Sequence, residues 1–508
     1  MNSLSGQAVD SGISMAGLGT GQELPESLVS RLIEQWSAER ALDARAVLDE
    51  HPELWGHKSV VLALAYEEFC QRIDAGQSVD GDAFCRKFPA WEKSLRRLIS
   101  FHEYLEENPH LLPAAQVEWP RPGQEMSGFA MLAELGRGTF GRVYLAREVN
   151  LGGRLVAVKV SLDGAGEADI LGRLSHPSIV PVHSVQRGPS EGLTIICMPY
   201  LGPVTLFDVM DKLGTAHRRP TGARHILEAI RQARGQWPPG QHSDDAPDPE
   251  LLRGSFIDGV LHLIAQLADA LAFAHAQGIC HSDLKPSNVL ITAAGRPMLL
   301  DFNLAGGPEV LRRRLGGTLP YMAPEQIEAM VSGQAALPAA LAVASDLFGL
   351  GVILYELVSG RLPFGPVSVK GRLNEVAAKL LRRQRQGPWP LEKTHPQIDP
   401  CLARLIHRCL AYEAENRPAS ADELAAALRR HRSPFCRARR WARRRWLVSL
   451  SVAAGLVVSP VAVAYYVASR PAAAVRWFNQ AGSARQRSRY HQAEDCLSEV
   501  IRLGGPRD

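Results

Sequence analysis

Eight consecutive residues, His281-Ser282-Asp283-Leu284-Lys285-Pro286-Ser287-Asn288, place a carboxylate, an ammonium and a carboxamide on one short stretch of chain. These groups suit phosphoryl transfer. Asp283 can accept a proton from an incoming hydroxyl, Lys285 can lie against the transferring phosphate, and Asn288 can offer its amide oxygen to a divalent metal. Alone, the octapeptide fits equally well as a polar turn between a helix and a strand.

Its companions narrow the choice. After an apolar run of strand length and a turn at Gly295 comes Asp301-Phe302-Asn303, an acidic residue delivered by the end of a buried strand, as a second metal contact requires. Upstream, the alternating segment Phe129 to Leu135 leads into Gly136-Arg137-Gly138-Thr139-Phe140-Gly141-Arg142-Val143, and Val156-Ala157-Val158-Lys159 follows. A glycine-rich stretch of this form also fits a dinucleotide fold or a plain hairpin. Here it lies between two strands, and no acidic residue follows at the dinucleotide-binding spacing. Lys159 ends a run that would be buried, so its ammonium needs anionic partners.

In this order the motifs resemble those of eukaryotic-type (Hanks-type) serine/threonine protein kinases, which bacteria also carry, over roughly residues 127–432. The resemblance implies an α+β, bilobal protein kinase fold, with a β-rich N-lobe over 127–200 and a helical C-lobe over 201–432. It implies ATP with Mg²⁺ or Mn²⁺ as cofactors and protein substrates with Ser or Thr acceptors. Asp283, Lys285 and Asn288 would be catalytic, and Asn288 and Asp301 would hold metal. Leu135, Gly136, Arg137, Gly138, Thr139, Phe140, Gly141, Val143, Ala157, Lys159, Glu167, Met198, Tyr200 and Leu290 would surround the nucleotide, with Val143 and Ala157 roofing the base, Met198 behind it and Tyr200 offering a backbone contact. Asp346 would brace the catalytic loop and Arg417 would pair with Glu325. Lys285, two residues after the Asp, resembles the serine/threonine class and not the tyrosine class.

Three departures keep a second reading open, that of a pseudokinase or nucleotide-binding scaffold without turnover. Ser282 stands for the usual Arg, Asn303 for the usual Gly, and only eight residues separate Lys159 from its expected partner Glu167. At about 3.3 Å per extended residue that pair can still meet. From Asn303 through Gly317 the chain has no Ser, Thr or Tyr, so activation by phosphorylation of this loop is not expected.

The 508 residues exceed what one core organises, and an apolar fraction of 46% is that of a globular chain. The net charge of +4 is unevenly placed: six arginines lie between Arg437 and Arg445, a local patch that does not suggest a nucleic-acid partner. The eight scattered cysteines lack zinc-type spacing, as expected of reduced thiols in the cytosol. Residues 1–23 read as a loose tail without a signal-peptide run. Residues 24–117 carry helical periodicity, as in Val60, Leu62, Leu64, Phe69 and Ile73, and predict a unit of three to five helices. Between about 209 and 255 the chain is longer than such a kinase needs; one short helix near Ala223 to Arg234, then Trp237-Pro238-Pro239-Gly240 and an acidic, Pro-containing run, predict a surface insertion that is solvated.

Residues 433–445 read as a basic juxtamembrane segment. Trp446 to Ser469 are 24 residues without a charge, enough to cross about 30 Å of hydrocarbon at about 1.5 Å per residue. The arginines on the N-terminal flank place the kinase in the cytoplasm and the C-terminal tail outside, which makes the chain a single-pass cell-membrane protein. Residues 470–508, with Trp477, Ala481, Tyr490, Ala493, Leu497, Val500 and Leu503, resemble one tetratricopeptide repeat, a short helical tail that cannot bury its own apolar face. Pairing into a homodimer is compatible with this layout.

Overall fold

The computed structural model describes residues 43–433, except 57, 108–118, 138–140, 163–171, 189–192, 216–219, 236, 242–243, 303–318, 335–336, 368–372 and 392–397, together with 458–466, 473–487 and 489–504. The expected N-terminal tail, Gly138, Thr139, Phe140, Glu167, the loop from Asn303 to Gly317, the basic segment apart from its first residue, and most of the membrane segment lie outside the described residues. The chain divides into two units, residues 1–432 and 433–508.

The first unit opens with four helices: α1 (Ala44–Glu50), α2 (Lys58–Asp74), α3 (Gly81–Cys85) and α4 (Glu92–Glu107). Asp43 and Asp80 cap α1 and α3, each side chain accepting from two backbone amides of the first turn. Leu48, Val61, Leu64, Phe69, Phe84, Phe88 and Trp91 form their shared core. These helices meet the rest of the described residues where α2 packs on strand β2 (Phe129–Arg137) and where the Lys212 ammonium stands 3.5 Å from the Trp91 ring centroid.

An antiparallel six-stranded sheet follows. Its strands are β1 (Glu125–Met126), β2, β3 (Gly141–Glu148), β4 (Arg154–Leu162), β5 (Ser184–Arg187) and β6 (Leu193–Pro199), in the order β1-β2-β3-β4-β6-β5. Strand alternation does the positioning. Val156, Val158 and Val160 face one apolar cluster with Phe129 and Tyr144, so Ala157 and Lys159 turn to the other face. Val143 stands opposite Lys159, and Met198 opposite Ala157.

The remainder is helical: α5 (Leu206–Thr215), α6 (Arg224–Arg234), α7 (Pro249–Leu252), α8 (Phe256–Ala276), α9 (Pro324–Ser332), α10 (Ala339–Ser359), α11 (Leu373–Gln386), α12 (Pro400–Cys409) and α13 (Ala421–Arg432), with a hairpin of β7 (Val289–Ile291) and β8 (Pro297–Leu299). Helix α8 starts at a capping box, in which Ser255 and Asp258 satisfy each other's backbone amides, and stops at Gly278 with φ +73°. Both α8 and α10 are long and apolar enough to cross a membrane, yet they are mostly buried in the core of this lobe.

The insertion departs from expectation. Its predicted start at 209 falls inside α5, and α6 buries Ile226, Ala229 and Ile230 in the main core. The helix itself matches the one expected near Ala223 to Arg234, but the i, i+3, i+4 spacing of those three residues makes an apolar stripe that must be covered.

In the second unit residues 458–466 are helical, with Val458, Val461, Val463, Tyr465 and Tyr466 exposed. Helices α14 (Ala473–Gln486) and α15 (Tyr490–Arg502) pack together and bury Ala481, Ala493 and Val500.

Candidate active site

Gly136, near the end of β2, stands in open space, and Gly141, the first residue of β3, stands where a Cβ would meet the Val160 carbonyl at 2.7 Å. Only glycine permits that approach. Below the sheet, Ala157, Met198 and Leu290 join Val180, Ile196 and Met298 in one apolar cluster that spans the two lobes. Leu135 packs on a neighbouring cluster containing Tyr200. These are the residues expected from the motif order to wall a slot for a flat apolar ring.

At the mouth of the slot Lys159 Nζ donates to Asp301 Oδ1 at 2.8 Å. Asp301 has φ +56°, a left-handed conformation that Asp tolerates better than most residues. Behind it, Leu300 donates its N–H to the Asn288 carbonyl at 2.9 Å, which ties the Asp301 segment to the catalytic loop.

Within that loop Asp283 Oδ2 accepts from Lys285 Nζ at 2.8 Å and from Asn288 Nδ2 at 3.1 Å, and Asn288 Nδ2 also reaches the Asp283 carbonyl at 2.9 Å. The amide nitrogen of Asn288 is thus committed to the Asp, and its amide oxygen is the atom a metal would need. Asn288 and Asp301 supply hard oxygen donors of the kind that fit Mg²⁺ or Mn²⁺.

The loop is held from beneath. Asp346, fully buried, accepts from the backbone amides of His281 and Ser282 and from His275 Nε2, each at 2.8 Å. Ser282 has φ +61°, and its carbonyl accepts from Gln326 Nε2 at 2.9 Å. This backbone conformation is therefore enforced from both sides by hydrogen bonds. Arg417 and Glu325 form a two-pronged pair at 2.6 and 2.8 Å, with the guanidinium stacked on Phe348.

Sequence reasoning missed two residues. His281 is buried, bonds the Leu300 carbonyl through Nε2 at 2.8 Å and lies against Phe302 at 4.8 Å. Burial lowers its pKa, against the pull of nearby Asp346 and Asp283, so the ring is neutral and donates from Nε2. Gln326 is the other; each lies close to a motif residue, Asp283 and Glu325 respectively, and that proximity was the signal available. Close by, His275, Cys280 and Asp346 converge, but burial pushes the Cys280 thiol up to about 12 and Asp346 is engaged by the loop. The Cys280 thiol is inert.

Residues 257–429 match the family model of the protein kinase domain, and residues 79–306 match that of the phosphotransferase enzyme family. Over 257–429 the chain is thus similar to a protein kinase domain. The chain is similar to bacterial serine/threonine kinases of the Hanks type: it is 31% identical to the serine/threonine-protein kinase Pkn1 of Myxococcus xanthus over 332 residues, 63% of this chain and 40% of that protein. The DNA damage-responsive serine/threonine-protein kinase RqkA of Deinococcus radiodurans is 30% identical over 322 residues, 60% of this chain and 40% of its own. A shorter match, 41% over 174 residues, covers 33% of this chain and 28% of the serine/threonine-protein kinase PkaA of Streptomyces coelicolor. The chain thus spans about two fifths or less of the length of these relatives.

Proposed function

We propose that this chain is an ATP-dependent serine/threonine protein kinase. The observation that carries the reading is the convergence of Lys159, Asp301 and the Asp283–Lys285–Asn288 cluster, contributed by three separate segments, beside an apolar slot. In this reading Asp283 orients the acceptor hydroxyl and takes its proton, while Lys285 neutralises charge on the transferring phosphoryl group. Lys159 holds the α- and β-phosphates, and Asn288 and Asp301 hold the metal. Bound there, Mg²⁺ or Mn²⁺ would neutralise phosphate charge. Such catalysis is chiefly positioning and electrostatics, and it requires all these groups together.

The decisive experiment is transfer of radiolabelled phosphate from ATP, by the purified full chain, onto itself and onto a basic protein. Asp283→Asn is expected to lower the rate by about 10²–10⁴-fold while ATP affinity stays within about twofold. Equal rates for the two proteins would end the enzymatic reading.

The same proposal places the chain in the cell membrane through residues 446–469. The apolar side chains exposed along 458–466 support it, since in water they would be left uncovered. The arginines before the segment favour a cytoplasmic kinase, and helices α14 and α15, with Trp477, Phe478 and Leu497 exposed, offer a face for pairing of two copies. A reporter fused after Asp508 is expected to be active only outside the cytoplasm; activity inside would reverse the orientation.

A further inference from the structure

The insertion returns from α6 to the linker between the lobes and grips it. Four contacts, of three kinds, meet there. Gln241 donates its backbone N–H to the Tyr200 carbonyl at 2.6 Å, and the Tyr200 hydroxyl donates to the Pro238 carbonyl at 3.2 Å. Gly240 is packed so tightly that a Cβ would lie 2.3 Å from the Leu201 carbonyl carbon and 2.5 Å from the Gly202 nitrogen. Both atoms are backbone and cannot swing aside. Trp237 joins Tyr200, Leu135, Ala133 and Leu145 in one apolar cluster on the sheet lobe.

The other end of the segment is anchored in the opposite lobe. Ile226, Ala229 and Ile230 of α6 belong to the main helical core, and Gly259 of α8 lets Ala223 approach so closely that a Cβ there would stand 2.8 Å from the Ala223 Cβ. One short piece of chain, rooted in the helical lobe, therefore fixes the linker's backbone and packs beneath Leu135 at the edge of the slot.

From this geometry we infer that Trp237–Gln241 is a clamp on the interlobe linker that sets nucleotide affinity by positioning Tyr200 and Leu135. These are positioning residues, since they act through the slot and do not touch the reacting atoms. The inference rests on the nucleotide-binding reading of the slot. If the slot takes a flat base, the peptide at Tyr200 has to keep one orientation for the base to seat, and the Gln241 bond together with the Gly240 contact removes its freedom to turn. Loosening the clamp then weakens binding before it slows transfer, because Asp283, Lys285 and Asn288 are braced independently by Asp346.

The test compares two changes at one position in the full-length chain. Gln241→Pro deletes the N–H that bonds Tyr200, and Gln241→Ala keeps it. With ATP and Mg²⁺, Gln241→Pro is expected to raise KM for ATP, and the Kd measured by calorimetry, about tenfold with kcat within about twofold, while Gln241→Ala matches the wild type. Trp237→Leu, which leaves the backbone intact, is expected to raise KM about threefold and serves if the proline variant does not fold. Unchanged KM in both Gln241→Pro and Trp237→Leu overturns the clamp. So does an equal loss in kcat and thermal stability at unchanged KM, the pattern of a merely structural strap. If the wild-type chain itself shows no saturable ATP binding, the nucleotide reading fails and the clamp with it, an outcome distinct from the other two.

Discussion

Lys159 and Asp301, 142 residues apart in sequence, meet at 2.8 Å. An ammonium on a central strand and a carboxylate at the end of a hairpin in the other lobe close on each other across the slot, so the pair reports that the two lobes are together.

Removing that ammonium tests its role. Lys159→Met is expected to lower kcat/KM for ATP by about 10²–10³-fold and to weaken ATP binding as well as turnover. Steady-state transfer rates together with direct binding check this. A variant with both parameters unchanged would move the phosphate site elsewhere.

Acid should loosen the catalytic loop through His281. Burial holds its folded pKa below the ordinary 6.5. The unfolded chain therefore takes up this proton more readily than the folded one, so the contribution to stability is present above about pH 6.5 and is lost as pH falls. Denaturant midpoints at pH 7 and pH 5 are expected to differ more in the wild type than in His281→Gln, whose amide can still donate to the Leu300 carbonyl but does not titrate. Identical pH slopes in the two proteins would count against this assignment.

Arg417 is fully buried, and its guanidinium is engaged by Glu325 and by the carbonyls of Ala344, Ala411 and Tyr412. Arg417→Ala leaves the Glu325 carboxylate without its cation and is expected to destabilise the domain by about 3–5 kcal/mol. Arg417→Lys cannot reproduce the fork and should fall between. Thermal denaturation measures both; a loss under about 1 kcal/mol for the alanine would show that Glu325 finds water instead.

Parts of the site were legible because they are local. Asp283, Lys285 and Asn288 lie within six positions, and strand alternation sets Ala157 and Lys159 on one face without further information. What the chain brings together from afar was less accessible. The Asp301 partner of Lys159 could not be read, because both residues also suit phosphate and metal, and Glu167, the partner expected from the motif order, lies outside the described residues. His281 and Gln326 act on backbone carbonyls, which leave no mark on the side chains of the residues that supply them. In the insertion the short helix near Ala223 to Arg234 was legible, but its burial and the packing of Trp237 were not, because both depend on elements far off in the chain. The insertion's grip on Tyr200 also runs through main-chain atoms.

Helices α8 and α10 carry mean hydropathies of 1.5 and 1.8 over windows long enough to cross a bilayer. Both leave the ribosome before residues 446–469. Until the helical lobe closes over them, they are insertion-competent segments by length and composition, each carrying acidic residues (Asp258 and Asp269, Asp346 and Glu356) that belong inside a protein and not inside lipid. If residues 446–469 anchor the chain as proposed, correct topology is a matter of timing: the lobe that holds α8 and α10 has to fold during synthesis, ahead of that segment.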